Sequence, residues 1–353
     1  MNYRQEILGR SQRIVVKLGT GLLTNSKGAL EKAKISRICV QIAELHRKKT
    51  QMVLVSSGAI AAGMGHLGMV QRPKNLPELQ AAAAIGQGKL MSIYDAIFNE
   101  FGVPVAQLLL THDDLKSRDR HLNARNTLRV LLARGVVPII NENDTVAVDE
   151  IKFGDNDRLA ALTTTLIDAD LLIILSHVEG LLDAEARTIP MVPEITPAIE
   201  QLAGDTDRAT SVGGMASKIE AARIVTRAGI PMVIANGERA GGVLDLLSGQ
   251  DIGTVFLPRD AKLASRKRWI AFFQRPAGTV IVDDGAVRAL RENGKSLLAK
   301  GIVSTEGRFG KGELVSIRDK DRVEFARGLA KVGSAEMDAA SGAVVHRDDL
   351  VIL

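Results

Sequence analysis

With 353 residues the chain exceeds what one hydrophobic core usually covers, so two domains of roughly 100–200 residues each are expected. Aromatic residues make up only 3%, so the cores must be aliphatic, and a net charge of +5 spread over this length falls short of a nucleic-acid footprint while permitting anionic ligands. The single cysteine, Cys39, has no intrachain partner, which excludes a disulfide framework and points to an inert buried thiol in a reducing, cytoplasmic setting.

The opening MNYRQEILGRSQR lacks the apolar core of a secretory signal. No apolar run reaches the ~18–20 residues that span a bilayer, so a soluble protein without a membrane partner is expected. Short aliphatic runs at Arg13–Leu18, Met52–Ser56, Val103–Leu110, Val136–Ile140, Leu171–Ser176 and Pro231–Asn236 are each bounded by Gly, Pro or a polar cluster and read as buried parallel strands. Between them Ile35–Lys48, Leu79–Phe101, Leu122–Arg134, Asp157–Ile167 and Met215–Ala228 have helical spacing. This alternation predicts an α/β fold, an αβα sandwich around a mainly parallel sheet, with a short hairpin near Val146–Phe153 interrupting it.

The alternation stops near Asp251. A basic connector follows at 259–275, and within it Arg266-Lys267-Arg268 reads as a solvated or interdomain charge run rather than an RNA contact. The tail has short β-like runs at Thr279–Val282, Glu313–Ile317, Val323–Gly328 and Val344–Val345 and one helix near Gly285–Asn293. The expected organisation is therefore a large α/β domain at 1–258, the connector at 259–275 and a small mixed-β domain at 276–353.

The segment Asn141–Asp157, NENDTVAVDEIKFGDND, is polar and acid-rich and follows directly on an apolar strand, which puts its side chains in the crevice outside the strand ends. Lys17 stands at the end of the first strand beside Gly19, a phosphate-cradle pattern that lacks Walker A spacing; alone it reads equally as a solvated strand-end lysine. Ser56-Ser57-Gly58 opens a helix whose N–H groups suit a carboxylate or phosphate, or else is a cap with small-residue packing. Gly213-Gly214-Met215-Ala216-Ser217-Lys218 again pairs glycines with a lysine at a helix start. Phosphoryl transfer needs positive charge, N–H donors and a held acceptor, and Lys17 and Lys218 supply the charge. Asp157 is the best candidate to hold both lysines, with a helix cap as the alternative reading for Asp155 or Asp157.

These motifs together resemble the amino acid kinase family, in its glutamate 5-kinase branch. The matching pieces are VVKLGT at Val15–Thr20, SSGAIAAG at Ser56–Gly63, AAIGQGKL at Ala83–Leu90, LNARNTLR at Leu122–Arg129, INEND at Ile140–Asp144, FGDND at Phe153–Asp157 and GGMASK at Gly213–Lys218. The tail, with GRFGKGE at Gly307–Glu313 and AVVHRDDL at Ala343–Leu350, resembles a PUA domain, a module that often binds RNA elsewhere. The resemblance implies direct in-line transfer of the γ-phosphoryl group of ATP, with Mg²⁺ accompanying the nucleotide, to the side-chain carboxylate of L-glutamate in proline biosynthesis. It implies that Lys17 and Lys218 stabilise the moving phosphoryl group and that Asp157 orients them. Ser57, Asn141, Asp144 and Asn156 would hold glutamate. Lys17, Gly19, Ser176, His177, Val212, Gly213, Gly214, Met215, Ala216, Ser217 and Lys218 would contact the nucleotide, and no side-chain metal site is assigned. Proline as feedback inhibitor and a homo-oligomeric state are also implied.

The chain departs from the family pattern at Ser176-His177, where Ser or Thr followed by Asp is usual, and an exposed loop histidine is the alternative there. Gly21 replaces a common serine, and Val212 a common hydroxyl residue or glycine. Two rival readings are another acceptor within the same family and an RNA-binding or regulatory protein with a decayed kinase domain. The combination of INEND, FGDND and a PUA-like tail argues against the first, retention of Lys17, Asp157 and Lys218 against the second, and the tail lacks interleaved aromatics for base stacking.

Overall fold

The aliphatic runs of the first 240 or so residues become the middle of one sheet because strands covered on both faces must be apolar throughout. The computed structural model describes residues 3–25, 28–69, 71–147, 156–204, 214–258, 267, 269–339 and 342–353. It divides into two units, Met1–Ala261 and Lys262–Leu353. In the first, β1 (Arg13–Leu18), β2 (Gln51–Ser56), β3 (Val105–Leu110), β4 (Val137–Glu142), β5 (Leu171–Ser176), β6 (Met191–Val192), β7 (Met232–Asn236) and β8 (Thr254–Phe256) form a sheet of order β3-β4-β2-β1-β5-β7-β8-β6. Among the strand pairs described in this sheet, β7–β8 alone is antiparallel. The sheet is therefore mainly parallel, as the alternation predicts.

Two differences from the sequence reading have local causes. β3 begins at Val105 rather than Val103 because Pro104 has no N–H to give to a ladder. β4 runs on to Glu142, since Asn141 and Glu142 continue to pair with Leu109 and Leu110 of β3. The first site residue is thus held on a strand. The hairpin expected near Val146–Phe153 lies outside the described residues from position 148 onward.

The chain runs from β1 to its neighbour β2 and on to the edge strand β3, returns to insert β4 between β2 and β3, then crosses back to place β5 on the other flank of β1. That reversal makes β1 a topological switch point, with the crevice at the carboxyl ends of β1, β2, β4 and β5. Helices Ala59–His66 and Leu76–Asn99 stack against each other beside this crevice. They approach at backbone contact: a β carbon at Gly63 would fall 1.8 Å from Ala82 O, and one at Gly86 1.8 Å from Ala59 O. Any larger residue at either glycine would push the helices apart. Among the described residues no helix is long and apolar enough to cross a membrane.

The second unit has β9 (Gly278–Val282), β10 (Leu297–Leu298), β11 (Ile302–Glu306), β12 (Leu314–Arg318), β13 (Glu324–Ala330) and β14 (Ala343–Ile352) in the order β10-β14-β13-β12-β9-β11. The β9–β12 pair is parallel and the others antiparallel. Its helix, Asp284–Arg291, is capped by Asp283, whose carboxylate accepts from Ala286 N at 2.7 Å. Residues 259–266 and Arg268 of the basic connector lie outside the described residues. Trp269–Phe273, read as part of that connector, instead forms a π-helical turn packed on β13 and β14. The reason is composition: Trp-Ile-Ala-Phe-Phe is too apolar to remain a linker.

Candidate active site

Strand alternation delivers the first lysine. Ile14, Val16 and Leu18 enter one core, so Lys17 leaves β1 on the opposite face, which helix Asp157–Leu166 covers. Helix Met215–Arg227 packs on that helix and brings Lys218 from its first turn. The three side chains meet: Lys17 Nζ lies 2.5 Å from Asp157 Oδ1, and Lys218 Nζ lies 3.0 Å from Oδ2. Asp157 is fully buried and the lysine side chains are 7% and 6% exposed. Burial by itself would raise the Asp157 pKa, and the two ammonium groups outweigh it and hold the carboxyl below its usual range. Ser217 Oγ also donates to Asp157 Oδ2, at 2.9 Å.

The capping alternative for Asp157 does not describe it. The N-cap position is Asn156, with no side-chain cap bond, and the Asp157 carboxylate serves the lysines. Asp155 lies outside the described residues. Gly19 lies beside Lys17 just past the end of β1, where a β carbon would make ordinary van der Waals contact at 3.9 Å from Lys17 Nζ.

Asn156 turns the other way and ties a second, uncharged cluster to the first. Its Nδ2 lies 2.8 Å from Ser56 O, 3.1 Å from Ser57 Oγ and 2.8 Å from Asn141 Oδ1. Ser57 hence uses its hydroxyl on Asn156 rather than as a helix cap. The cap of helix Ala59–His66 is Gly58, whose φ of 102° is a left-handed conformation that glycine adopts without strain. Consecutive residues Asn156 and Asp157 therefore join an amide and hydroxyl pocket to a lysine-rich one.

Asp144 lies three residues beyond Asn141 in the turn after β4, half-buried, and no hydrogen bond among the described residues links it to the Asn156 cluster. Burial pushes its pKa up to about 6, with the positive charge of Arg72 opposing the rise. Ser176 is buried at the end of β5, whereas His177 is exposed, consistent with a loop histidine. Of the glycine-rich helix start, Val212 and Gly213 lie outside the described residues. Gly214, Met215 and Ala216 form the opening turn of helix Met215–Arg227.

The amino acid kinase family model matches residues 12–236, from the start of β1 to the end of β7, and a PUA domain model matches residues 278–348. The chain belongs to the amino acid kinase family. Glutamate 5-kinases of Pelobacter propionicus and Moorella thermoacetica are each 46% identical to it. The first alignment covers 99% of this chain and 100% of its relative, the second 98% and 97%. Among solved structures, carbamate kinase from Giardia lamblia bound to AMP-PNP is 18% identical, with a TM-score of 0.50 over 71% of this chain and 99% of its own, a likeness of fold.

One buried polar residue of this family member escapes a reading by local spacing. Gln87 accepts a hydrogen bond from Asn141 Nδ2 at 2.9 Å across 54 positions of sequence. The available signal is its place on the buried stripe Leu79, Ala82, Ala83, Gly86, Leu90 of helix Leu76–Asn99. A glutamine on such a stripe must find a partner.

Proposed function

We propose that the chain transfers the γ-phosphoryl group of ATP to the side-chain carboxylate of L-glutamate, giving L-glutamyl 5-phosphate, the opening step of proline biosynthesis, in the cytoplasm. The observation that carries this reading is the junction at Asn156–Asp157, which sets a buried Lys–Asp–Lys array against a neutral amide and hydroxyl pocket. High identity to glutamate 5-kinases over nearly the whole chain supports it.

In this reading the acceptor is already an anion, so no general base is needed. One oxygen of the glutamate side-chain carboxylate attacks the γ-phosphorus, the bond to the β–γ bridging oxygen breaks, and that oxygen leaves with ADP. Lys17 and Lys218 offset the charge on the moving group, and Asp157 fixes their ammonium groups so that little reorganisation accompanies the reaction. The first N–H groups of helix Met215–Arg227 would meet the nucleotide phosphates, with Gly19, Gly213, Gly214, Met215, Ala216, Ser217, Ser176, His177 and Val212 completing the nucleotide side.

The groups at the phosphate side are the Lys17 and Lys218 ammonium groups and the N–H groups that open helix Met215–Arg227. These fit phosphate oxygens. Mg²⁺ would enter with the nucleotide substrate and neutralise phosphate charge there. Ser57, Asn141 and Asn156 hold the amino acid, and Asp144 takes its α-ammonium group. Proline carries the same ammonium and carboxylate head and would compete there.

The test is incubation with Mg-ATP, hydroxylamine and either glutamate, aspartate or N-acetylglutamate, with acyl hydroxamate and ADP measured together. Hydroxamate from glutamate alone, matched by ADP, is the expected result. Turnover of another acceptor would move the assignment within the family.

A further inference from the structure

The amide cluster has a direction, and its far end is a residue to which the reaction assigns nothing. Asn141 Oδ1 accepts from the backbone N of Glu142 at 2.9 Å and from Asn156 Nδ2 at 2.8 Å. Its Nδ2 must therefore be the donor toward Gln87, and the group it meets there, at 2.9 Å, must be Oε1. A flipped Gln87 would set two donors face to face. Gln87 Nε2 is then left buried with no hydrogen-bond partner among the described residues, although reversing the amide would redirect it. The asymmetry shows that the acceptor face toward Asn141 is the one the cluster requires.

This direction propagates to the pocket. With Asn141 locked as acceptor toward Asn156, the Asn156 amide is spent as donor through Nδ2, and its Oδ1 remains an acceptor. Ser57 Oγ, which takes a hydrogen bond from Asn156 at 3.1 Å, keeps its own proton to donate. The pocket thus offers an acceptor and a donor in fixed positions, which complement the ammonium and carboxylate of an α-amino acid. The same helix touches the loop beyond β4 through Gln80 Nε2, 3.3 Å from Ala147 O. Close contact at Gly86 fixes its distance from the start of helix Ala59–His66, next to Ser57.

We propose that Gln87 is a positioning residue that sets the hydrogen-bond polarity of the amino-acid pocket through Asn141 and Asn156, and so the preference for an α-amino acid. The inference rests on the kinase reading above. It is tested by Gln87→Met, which keeps length but removes the acceptor, and Gln87→Glu, which keeps it. Kinetics are measured with glutamate, with glutarate, which lacks the α-ammonium group, and with ATP.

Gln87→Met is expected to raise the glutamate KM about tenfold while the ATP KM and kcat change little, and to narrow the glutamate-over-glutarate preference by a similar factor. Gln87→Glu is expected to keep both the KM and the preference near wild type. Unchanged glutamate KM and preference in Gln87→Met would overturn the proposal, as would equal losses for glutamate and glutarate, the mark of a packing role. Should Gln87→Met fail to fold, Gln87→Glu decides: a changed preference in that folded variant overturns the proposal. A wild-type protein inert with glutamate would instead overturn the kinase reading itself, which separates the two failures.

Discussion

The first unit buries Lys17, Asp157 and Lys218 together, at a strand end and two helix starts, whereas ion pairs described in the second, such as Lys320–Asp284 and Arg322–Glu306, lie at the surface. The second unit's concavity of ≈ 420 Å³, lined by Thr279, Glu306, Ser316, Arg318, Glu324 and Arg327, shows the contrast. There Arg327 spends its guanidinium on Glu324 and on Ala271 O. Taking charges out of water costs several kcal/mol per ion, so charge burial at strand ends is retained where chemistry uses it. Paired charge at a surface costs little and signals little. Function is legible in the first unit for that reason and much less so in the second.

Removing a lysine attacks the comparison most directly. Lys17→Ala and Lys218→Ala are each expected to lower kcat by about 10²–10³, the size of a lost transition-state donor, with the glutamate KM nearly unchanged. ADP release at saturating substrate measures it. Turnover at the wild-type rate would remove that lysine from the reaction and leave buried charge without a purpose. Next in size, Asp144→Ala should raise the glutamate KM by roughly 30-fold, the loss of a charge-assisted contact, with the ATP KM little changed. Equal rises in both would make Asp144 a structural residue.

Asp144 also gives a pH signature. Its pKa in the folded protein is about 6, raised by burial against the pull of Arg72, above the ~3.9 of an unfolded chain. Being raised, it contributes stability at low pH that is lost as pH rises through about 6. Binding runs the other way, because only the carboxylate attracts an ammonium group. The glutamate KM should therefore fall as pH rises from about 5 to 7, and the step should vanish in Asp144→Asn while the ATP KM stays flat. A step that survives the substitution would belong to another group.

The same contrast governs what the sequence makes visible. β1 and β5 can be placed to the residue because they are buried on both faces and read as unbroken aliphatic runs. β6 and β8, of two and three residues, are too short to carry a period, and β11 is mostly exposed, so its pattern is weak. In the site, Lys17, Asp157 and Lys218 are legible because charge at strand ends and glycine-flanked helix starts is unusual. Gln87 is not, because its partner Asn141 lies on another element and only the fold brings the two together. The extension of β4 through Asn141 is hidden for a similar reason: ladder pairing with β3 decides it, not local composition.

If the reaction belongs wholly to the first unit, a fragment of residues 1–258 should keep kcat within about threefold of the full chain, since independently cored domains retain their sites. The cut belongs before Trp269 rather than after Arg275, because Ile270, Ala271, Phe272 and Phe273 are buried against the second unit's own strands. A fragment ending at Arg275 would carry that apolar turn exposed and invite aggregation that mimics lost activity. Residues 1–258 contain Lys17, Ser57, Gln87, Asn141, Asp144, Asn156, Asp157 and Lys218, so substrate constants as well as turnover should survive. Circular dichroism and a cooperative melt would establish that the fragment is folded before its kinetics are read. A folded fragment that binds both substrates but does not turn over would show that the second unit contributes to catalysis, and the division drawn between the two units would fail.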